Sequence, residues 1–307
     1  MIISRVTSDE FGRLYTSANN HIYNTVSFNE LNAGRCRQVY YLSAGKVGWI
    51  LGERDGLLLS PFSAPFGGPV YGPERPGEAD IEEAVKALVG YGRERGLGVR
   101  VTLPPALYYP EPAPLVEAAM ARYGRLLYTD TNHHIDIRAY DDPLKVMHRS
   151  ARHNYKLSLP LDYRFIRLDG HNPDDIARAY EVIRINRAWR GYPLRMTLEQ
   201  VVRTAPVVDG HFGVLSLEGK DLAAVQMHRV TPGVMQVVYW GNVPDERREV
   251  RPMARLVPEV MAWCRDIGVS IVDAGPSSEN GVLNVGLAEF KESHGGIPTQ
   301  KQVYELS

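Results

Sequence analysis

The stretch from Tyr239 to Gly296 constrains the fold more than any other part of the chain. Within it Met253, Leu256, Val257, Val260, Met261 and Cys264 recur at three- and four-residue steps, which puts one apolar stripe on a helix that Gly268 can stop. A strand ends before that helix at Tyr239-Trp240-Gly241-Asn242, and Val269, Ile271 and their apolar neighbours follow as a second strand. Strand, loop, helix and strand in that order make an α/β chain with mixed (α+β) sheets. The second strand closes on Asp273-Ala274-Gly275, where small and polar residues replace core-facing ones and a ligand can approach the backbone. A loop and a short helix complete the stretch.

The same order of elements occurs earlier in the chain. Gly45-Lys46 recurs as Gly219-Lys220 and Phe66-Gly67 as Trp240-Gly241 at one common shift, and Gly98-Val99 recurs as Gly268-Val269 at a slightly smaller one. Each dipeptide says little alone. Together they fall at the same points of a strand, turn, strand, loop, helix, strand order, which predicts a duplicated domain. The boundary is expected near Tyr140-Asp141-Asp142-Pro143, because an acidic pair before proline suits a helix start, giving domains over 1–142 and 143–307.

A chain of 307 residues with 44% hydrophobic and 23% charged residues can fill two cores, and its formal net charge of −1 excludes a general nucleic-acid coat and predicts no DNA partner. Cys36 and Cys264 are its two cysteines, too few for a disulfide framework, so a reducing cytoplasm is expected. The opening residues MIISRVTSDEF carry an acidic pair where a signal peptide needs an apolar core. No run approaches the roughly 20 apolar residues that cross a bilayer, which leaves open only peripheral contact at the inner membrane face.

Between Gln38 and Val70 apolar runs separated by Ala44-Gly45-Lys46 and Asp55-Gly56 predict a β-meander. The Pro- and Gly-rich segment from Ser63 to Gly72 is expected to be irregular; its Phe66 and Tyr71 either plug the core or form a wall of an acceptor site. Asp80 is expected to cap a helix with Glu83 as its partner, and Ile81, Ala84, Val85 and Leu88 mark the buried stripe. Val99, Val101 and Leu103 alternate as a strand that Pro104-Pro105 ends. Adjacent His133 and His134 on a strand point to opposite faces and do not chelate one metal, so no metal site is expected. A helix from Pro143 to about Lys156 carries Lys145, His148, Arg149, Arg152, His153 and Lys156; it is either a solvated face or a surface for an anionic ligand. A second helix, Asp174 to Ala188, breaks at Trp189-Arg190-Gly191-Tyr192-Pro193, and a further one spans Thr197 to Val202.

In their order, Tyr239-Trp240-Gly241-Asn242, Pro252-Met253, Asp273-Ala274-Gly275, Asn284-Val285-Gly286-Leu287, Phe290-Lys291 and Gly295-Gly296 resemble the FemABX-like transferases, tandem members of the GNAT acyltransferase superfamily. The basic block from His148 to Lys156 agrees with the helix by which such proteins enter their second domain, whereas the N-terminal half resembles the family only in its pattern. The resemblance implies two tandem GNAT-like domains and direct N-acyl transfer to an amine of a sugar or peptide, such as a cell-envelope precursor. It assigns Lys291 to the tetrahedral intermediate, with Phe290 packed beneath its stem, and Tyr239 to the leaving group. Asp273 either accepts the amine proton or caps the following loop. Trp240, Asn242, Ser277, Ser278, Asn280, Arg152 and Tyr192 are the further substrate-binding candidates. Ser277-Ser278 lacks the Gly-x-Ser-x-Gly elbow of a hydrolase nucleophile.

In GNAT folds the loop before the central helix holds the pyrophosphate of coenzyme A on free backbone N–H groups. Here that loop offers Arg247, Arg248, Arg251 and Met253 as donor-binding residues but lacks the superfamily's Gln/Arg-x-x-Gly-x-Gly/Ala pattern. The expected donor is an acyl-CoA, since no inserted tRNA-binding coiled coil is present. Aminoacyl-tRNA, the donor of the FemABX branch, is the alternative, and a GNAT-derived binding module without activity is the reading from another class. Pro258, within the same apolar stripe, predicts a kink or a late start of that helix.

Overall fold

The computed structural model describes residues 2–18, 20–109, 111–247 and 249–307. It divides into two units: the first holds the described residues up to Thr131 with Ser278–Val282 and Thr299–Ser307, the second Asn132–Ser277 and Leu283–Pro298. The division therefore falls inside a strand, not at the expected 142/143. Asp142 does cap a short helix, accepting from Leu144 N, but a helix start marks a local turn and not where long-range contacts change.

From its N-terminus the chain forms β1 (Ser4–Val6), α1 (Ser8–Leu14), α2 (Val26–Leu31), β2 (Gln38–Ala44), β3 (Val47–Arg54), β4 (Leu57–Ser60), β5 (Pro69–Tyr71), α3 (Glu78–Glu94), β6 (Gly98–Thr102), α4 (Ala113–Tyr123) and β7 (Gly124–Asp136). The expected meander is β2-β3-β4, whose tight turns use Gly45 and Gly56 at positive φ. α3 is the crossover between β4 and its parallel neighbour β6, and it buries Ile81, Ala84, Val85 and Leu88. Its cap differs from the expectation. Gly77 is the N-cap, and Asp80, the third helical residue, accepts from Gly77 N at 2.9 Å. The segment from Ser63 to Gly72 is also more regular than its composition suggests, because β5 pairs with β3 and its proline sits at the first position. Phe66 plugs the core, with Tyr108 at 4.7 Å and His21 at 5.0 Å between ring centroids.

The chain continues as α5 (Pro143–Val146), α6 (Arg149–Ser158), β8 (Arg164–Leu168), α7 (Pro173–Arg190), α8 (Leu198–Thr204), β9 (Gly210–Leu217), β10 (Lys220–Thr231), β11 (Val234–Asn242), α9 (Pro252–Asp266), β12 (Ile271–Pro276), β13 (Ser278–Glu279), β14 (Val282–Leu283), α10 (Val285–Ser293) and β15 (Ile297–Leu306). Leaving out β5 and the short β13 and β14, the order strand, two helices, three strands, helix, strand, helix, strand thus occurs twice, in keeping with the repeated dipeptides. The basic helix is divided at Met147-His148 into α5 and α6, since Met147 is extended. α9 runs from Pro252 through Pro258 to Asp266, so the proline neither ends nor begins it.

Within the first unit the sheet order is β1-β2-β3-β4-β6-β15-β7, so the last strand of the chain lies against β6 in the register Val303↔Thr102 to Leu306↔Val99. Within the second it is β12-β11-β10-β9-β8, with the end of β7 against β12. Side chains of these strands alternate between two cores. On one face Leu256, Val257, Val260, Met261 and Cys264 of α9 pack on Val225, Met227, Met235, Val237 and Val272. On the other, Ile176, Ala179 and Ile183 of α7 and Val201 of α8 pack on Phe212, Val214 and Ala224.

His21 is buried with its Nε2 at 3.2 Å from Gly67 O, and burial pushes its pKa down to about 4. His228 in the second unit is pushed down to about 3 for the same reason. An unfolded histidine takes up its proton near pH 6.5, so the native state loses stability as pH falls below that value, by up to about 1.4 kcal/mol per pH unit for each group. The melting temperature should therefore drop between pH 7 and pH 4.5, and less steeply in His21→Gln. Equal slopes for the two proteins would remove His21 as a cause.

Candidate functional site

β11 and β12 run parallel and pair as Val234↔Ile271, Met235↔Val272 and Gln236↔Asp273, where pairing stops although β11 continues to Asn242 and β12 to Pro276. The two strands separate there. Gly275, at φ +77°, lets the backbone of β12 turn in a conformation that an L-residue resists.

Asp273 stands at the parting. It has no exposed surface, and its carboxylate accepts from Asn132 Nδ2 at 2.8 Å, Gln236 Nε2 at 2.8 Å and Gly275 N at 2.9 Å. Of the two readings open for it, the bond to Gly275 N is the loop cap. Two residues further on, the carbonyls of Gly275 and Pro276 both accept from Lys291 Nζ at 2.8 Å. Lys291, on α10, is 3% exposed, so it is not the surface lysine that composition alone suggests. Ser277 comes next: its Oγ lies 2.9 Å from His133 Nδ1, and His133 Nε2 lies 3.2 Å from Glu292 Oε1. Burial holds the His133 pKa below the ordinary histidine range, against the opposing pull of Glu292. Serine, histidine and glutamate are the residue types of a hydrolytic triad, but Ser277 is 1% exposed, whereas a nucleophile must be reached by its substrate.

Phe290 and Trp240 lie on the α9 side of the sheet, edge to face at 6.0 Å, and Phe290 also stacks on His294 at 4.5 Å. Tyr239, one residue before Trp240, faces the α7 side. There the Arg187 guanidinium sits 5.1 Å from its ring and 5.4 Å from that of Tyr192, and its hydroxyl accepts from Arg195 N at 3.4 Å. The expected catalytic trio is thus divided: Lys291 reaches the Gly275 turn from α10, whose Phe290 packs on the α9 side, whereas Asp273, next to Val272 of that core, and Tyr239 point to the other face of the sheet. Asn242 O accepts from Asn186 Nδ2 at 2.7 Å, a contact that needs Gly241, where a Cβ would come within 2.4 Å of the Asn186 side chain.

Ser278 and Asn280 belong to the first unit. Ser278 Oγ donates to Asp130 Oδ1 at 2.9 Å, and Asn280 occupies a turn at positive φ before Gly281, whose N–H reaches the same oxygen at 3.0 Å. They are not grouped with Ser277. Arg152 is exposed on α6 and donates to Met147 O, and Tyr192 is half exposed beyond the Gly191 helix end.

The donor-binding candidates fare differently. Arg247 is held by Asp245 at 2.9 Å and Glu218 at 3.0 Å, which keeps its pKa above the usual range, so its charge is already met. Arg251 precedes α9, where its N–H donates to Tyr163 Oη and its guanidinium to Val250 O, and Met253 packs on the core. Arg248 lies outside the described residues. Pro252 at the first turn of α9 withdraws one of the N–H groups that a pyrophosphate would use.

Sequence reasoning misses His133, Glu292, Asn132 and Gln236 as site residues. The histidine pair draws attention only as a metal ligand, and Glu292 has one available sign, its place beside Lys291.

No family model matches the sequence, and none of the curated proteins matches it. Solved structures do match in fold. FemX superposes with a TM-score of 0.70 at 10% identity, over 99% of this chain and 97% of that one. The C-terminal domain of a protein described as a putative lysylphosphatidylglycerol synthetase, from Agrobacterium fabrum, gives 0.62 at 13% identity over 98% and 90%. A tandem GNAT protein from the clavulanic acid biosynthesis pathway gives 0.50 at 12% identity over 99% and 97%. The chain has a FemABX-like fold of two GNAT-like units.

Removing the carboxylate that joins β7, β11 and the Gly275 turn leaves three buried donors without an acceptor. Asp273→Ala should lower the urea-unfolding free energy by about 3 kcal/mol or more, with Asp273→Asn in between. A loss under about 1 kcal/mol in the alanine variant would show that these bonds do not hold the parting.

Proposed function

We propose that the second unit is an N-acyltransferase acting on an amine of a sugar or peptide, such as a cell-envelope precursor. The observation that carries this is the parting of β11 and β12 beyond Gln236 and Asp273, with the Lys291 side chain fixed beside it. An activated carbonyl enters between the strands, and the amine attacks it directly. The N–C bond forms, the bond to the leaving oxygen or sulfur breaks, and the amine proton passes to the leaving atom. Lys291 offsets the negative charge on the tetrahedral oxygen, in a site shielded from water where such charge stabilisation is strong. Asp273 shapes the turn; Tyr239, whose ring meets the Arg187 guanidinium, has a binding part.

The donor best supported is an aminoacyl ester of tRNA. Arg247 is neutralised by two carboxylates, and Pro252 weakens the helix terminus for a pyrophosphate. α6 contains Arg149, Arg152, His153 and Lys156 and no acidic residue, which suits an RNA backbone. The name of one fold neighbour, a putative lysylphosphatidylglycerol synthetase, speaks of a lysyl group, which is in keeping with an aminoacyl donor. No described helix is long and apolar enough to cross a membrane, and we place the reaction in the cytoplasm, where membrane-bound precursors are met at the inner face.

The test offers an aminoacyl-tRNA pool and acetyl-CoA separately, with amino-sugar and peptide amines as acceptors. Turnover is expected with the first donor, falling about 100-fold or more in Lys291→Ala while acceptor affinity is kept. Turnover with acetyl-CoA alone would reverse the donor assignment, and acceptor binding without turnover with either donor would make the chain a binding module.

A further inference from the structure

We infer that Glu292, His133 and Ser277 form a positioning relay that holds the Gly275-Pro276 turn in register with Lys291. This rests on the proposed part of Lys291 and adds three residues to it. Lys291 and Glu292 are neighbours on α10, and each fastens that helix to the same turn. Lys291 binds the carbonyls of Gly275 and Pro276; Glu292 reaches the next residue, Ser277, through His133. His133 is also the register partner of Gly275 across β7 and β12. The turn is thus gripped at its carbonyls and at the side chain just after them.

For the neutral ring the relay has one assignment that satisfies both bonds: Nε2–H donates to Glu292, and Nδ1 accepts from the Ser277 hydroxyl. The carboxylate selects this tautomer. Without it the imidazole can carry its proton on Nδ1, which reverses the bond: the Ser277 hydroxyl then accepts, and its own proton loses its acceptor. Protonation of the ring does the same. The charged and titratable groups facing His133 are Glu292 and Lys291 from α10, Asp273 from β12 and His134 beside it on β7. Glu292 and Asp273 favour the imidazolium, and burial and Lys291 oppose it. Loss of the Glu292 charge therefore moves imidazole protonation to lower pH. The relay reaches solvent at one end, since the Glu292 side chain is 43% exposed, whereas Ser277 at the other is buried. A substitution at Glu292 consequently tests the relay with little risk to folding.

The experiment compares Glu292→Gln, Glu292→Ala, Ser277→Ala and Lys291→Ala with the wild-type chain, by steady-state kinetics over pH 5 to 8 and by ¹⁵N NMR of the His133 imidazole. Glu292→Gln is expected to lower kcat about tenfold with KM little changed, to move the acid limb of kcat to lower pH, and to change the Nε2–H tautomer into a mixture. Ser277→Ala should lower kcat to a similar extent while leaving the tautomer intact. Wild-type kcat and acid limb in both variants, with Lys291→Ala inactive, would overturn the relay and leave the transferase reading standing. Full turnover in Lys291→Ala would instead overturn that reading. An Nε2–H tautomer unchanged in Glu292→Ala, which offers no acceptor, overturns the relay whatever the activity.

Discussion

A carboxylate without exposed surface determines where the second sheet opens. Asp273 is the last residue of β12 paired with β11, and its two oxygens are taken by amides from β7 and β11 and by the N–H of Gly275. A buried charge is tolerated only when its acceptor sites are filled. Filling them from both flanking strands and from the adjoining turn fixes all three in one arrangement. The strands can then part without the edge becoming loose, because the last pair before the opening is tied by side chains as well as by the backbone.

The opening in turn makes room for a lysine in the interior. Carbonyls that a continued parallel ladder with β11 could occupy are turned aside at Gly275 and Pro276, and Lys291 uses them. An ammonium group at 3% exposure is costly unless oxygen atoms replace its water, and two carbonyls at 2.8 Å do so. The arrangement needs Gly275 for its φ and α10 for its direction. α10 begins where Asn284 accepts from Leu287 N, and Asn284 N is itself bound to Ser277 O, so the turn that receives the lysine also sets where the lysine's helix starts.

Local periodicity makes most of this architecture legible. The α9 stripe, the hairpins at Gly45 and Gly219, the α3 stripe and the strand carrying His133 all depend on neighbours within a few residues, and each is readable. The unreadable parts depend on distant partners. β15 completes the first sheet, which no composition near residue 300 could signal, and the boundary lies within β7 for the same reason. Asp80 looks like a cap when it is the third helical residue, because glycine at Gly77 does the capping without a side chain to announce it. In the candidate site, motif order names Phe290 and Trp240, which meet edge to face, and Lys291 next to Phe290. Motif order draws Tyr239 to the same place, although alternation sends adjacent strand residues to opposite faces. His133 and Glu292 stand far apart in sequence, and their joint work with Ser277 exists only once β7 lies beside β12.

The duplication explains why the chemistry is assigned to one unit. In the first, β4 and β6 form the corresponding parallel pair, ending at Ser60↔Val101. Beyond that pair the two copies diverge. Phe66, the counterpart of Trp240 in the repeated dipeptide, is 1% exposed and wedged among His21, Tyr23 and Tyr108, so aromatic packing fills the ground next to the strand ends. The helix corresponding to α10 is α4, whose residues APLVEAAMARY include no lysine. Trp240 by contrast is half buried and rests on Phe290. The first copy thus packs aromatic rings where the second places buried polar bonds. In the second unit the lysine of α10 is bound to the carbonyls at the parted edge, a place that no lysine of α4 takes in the first.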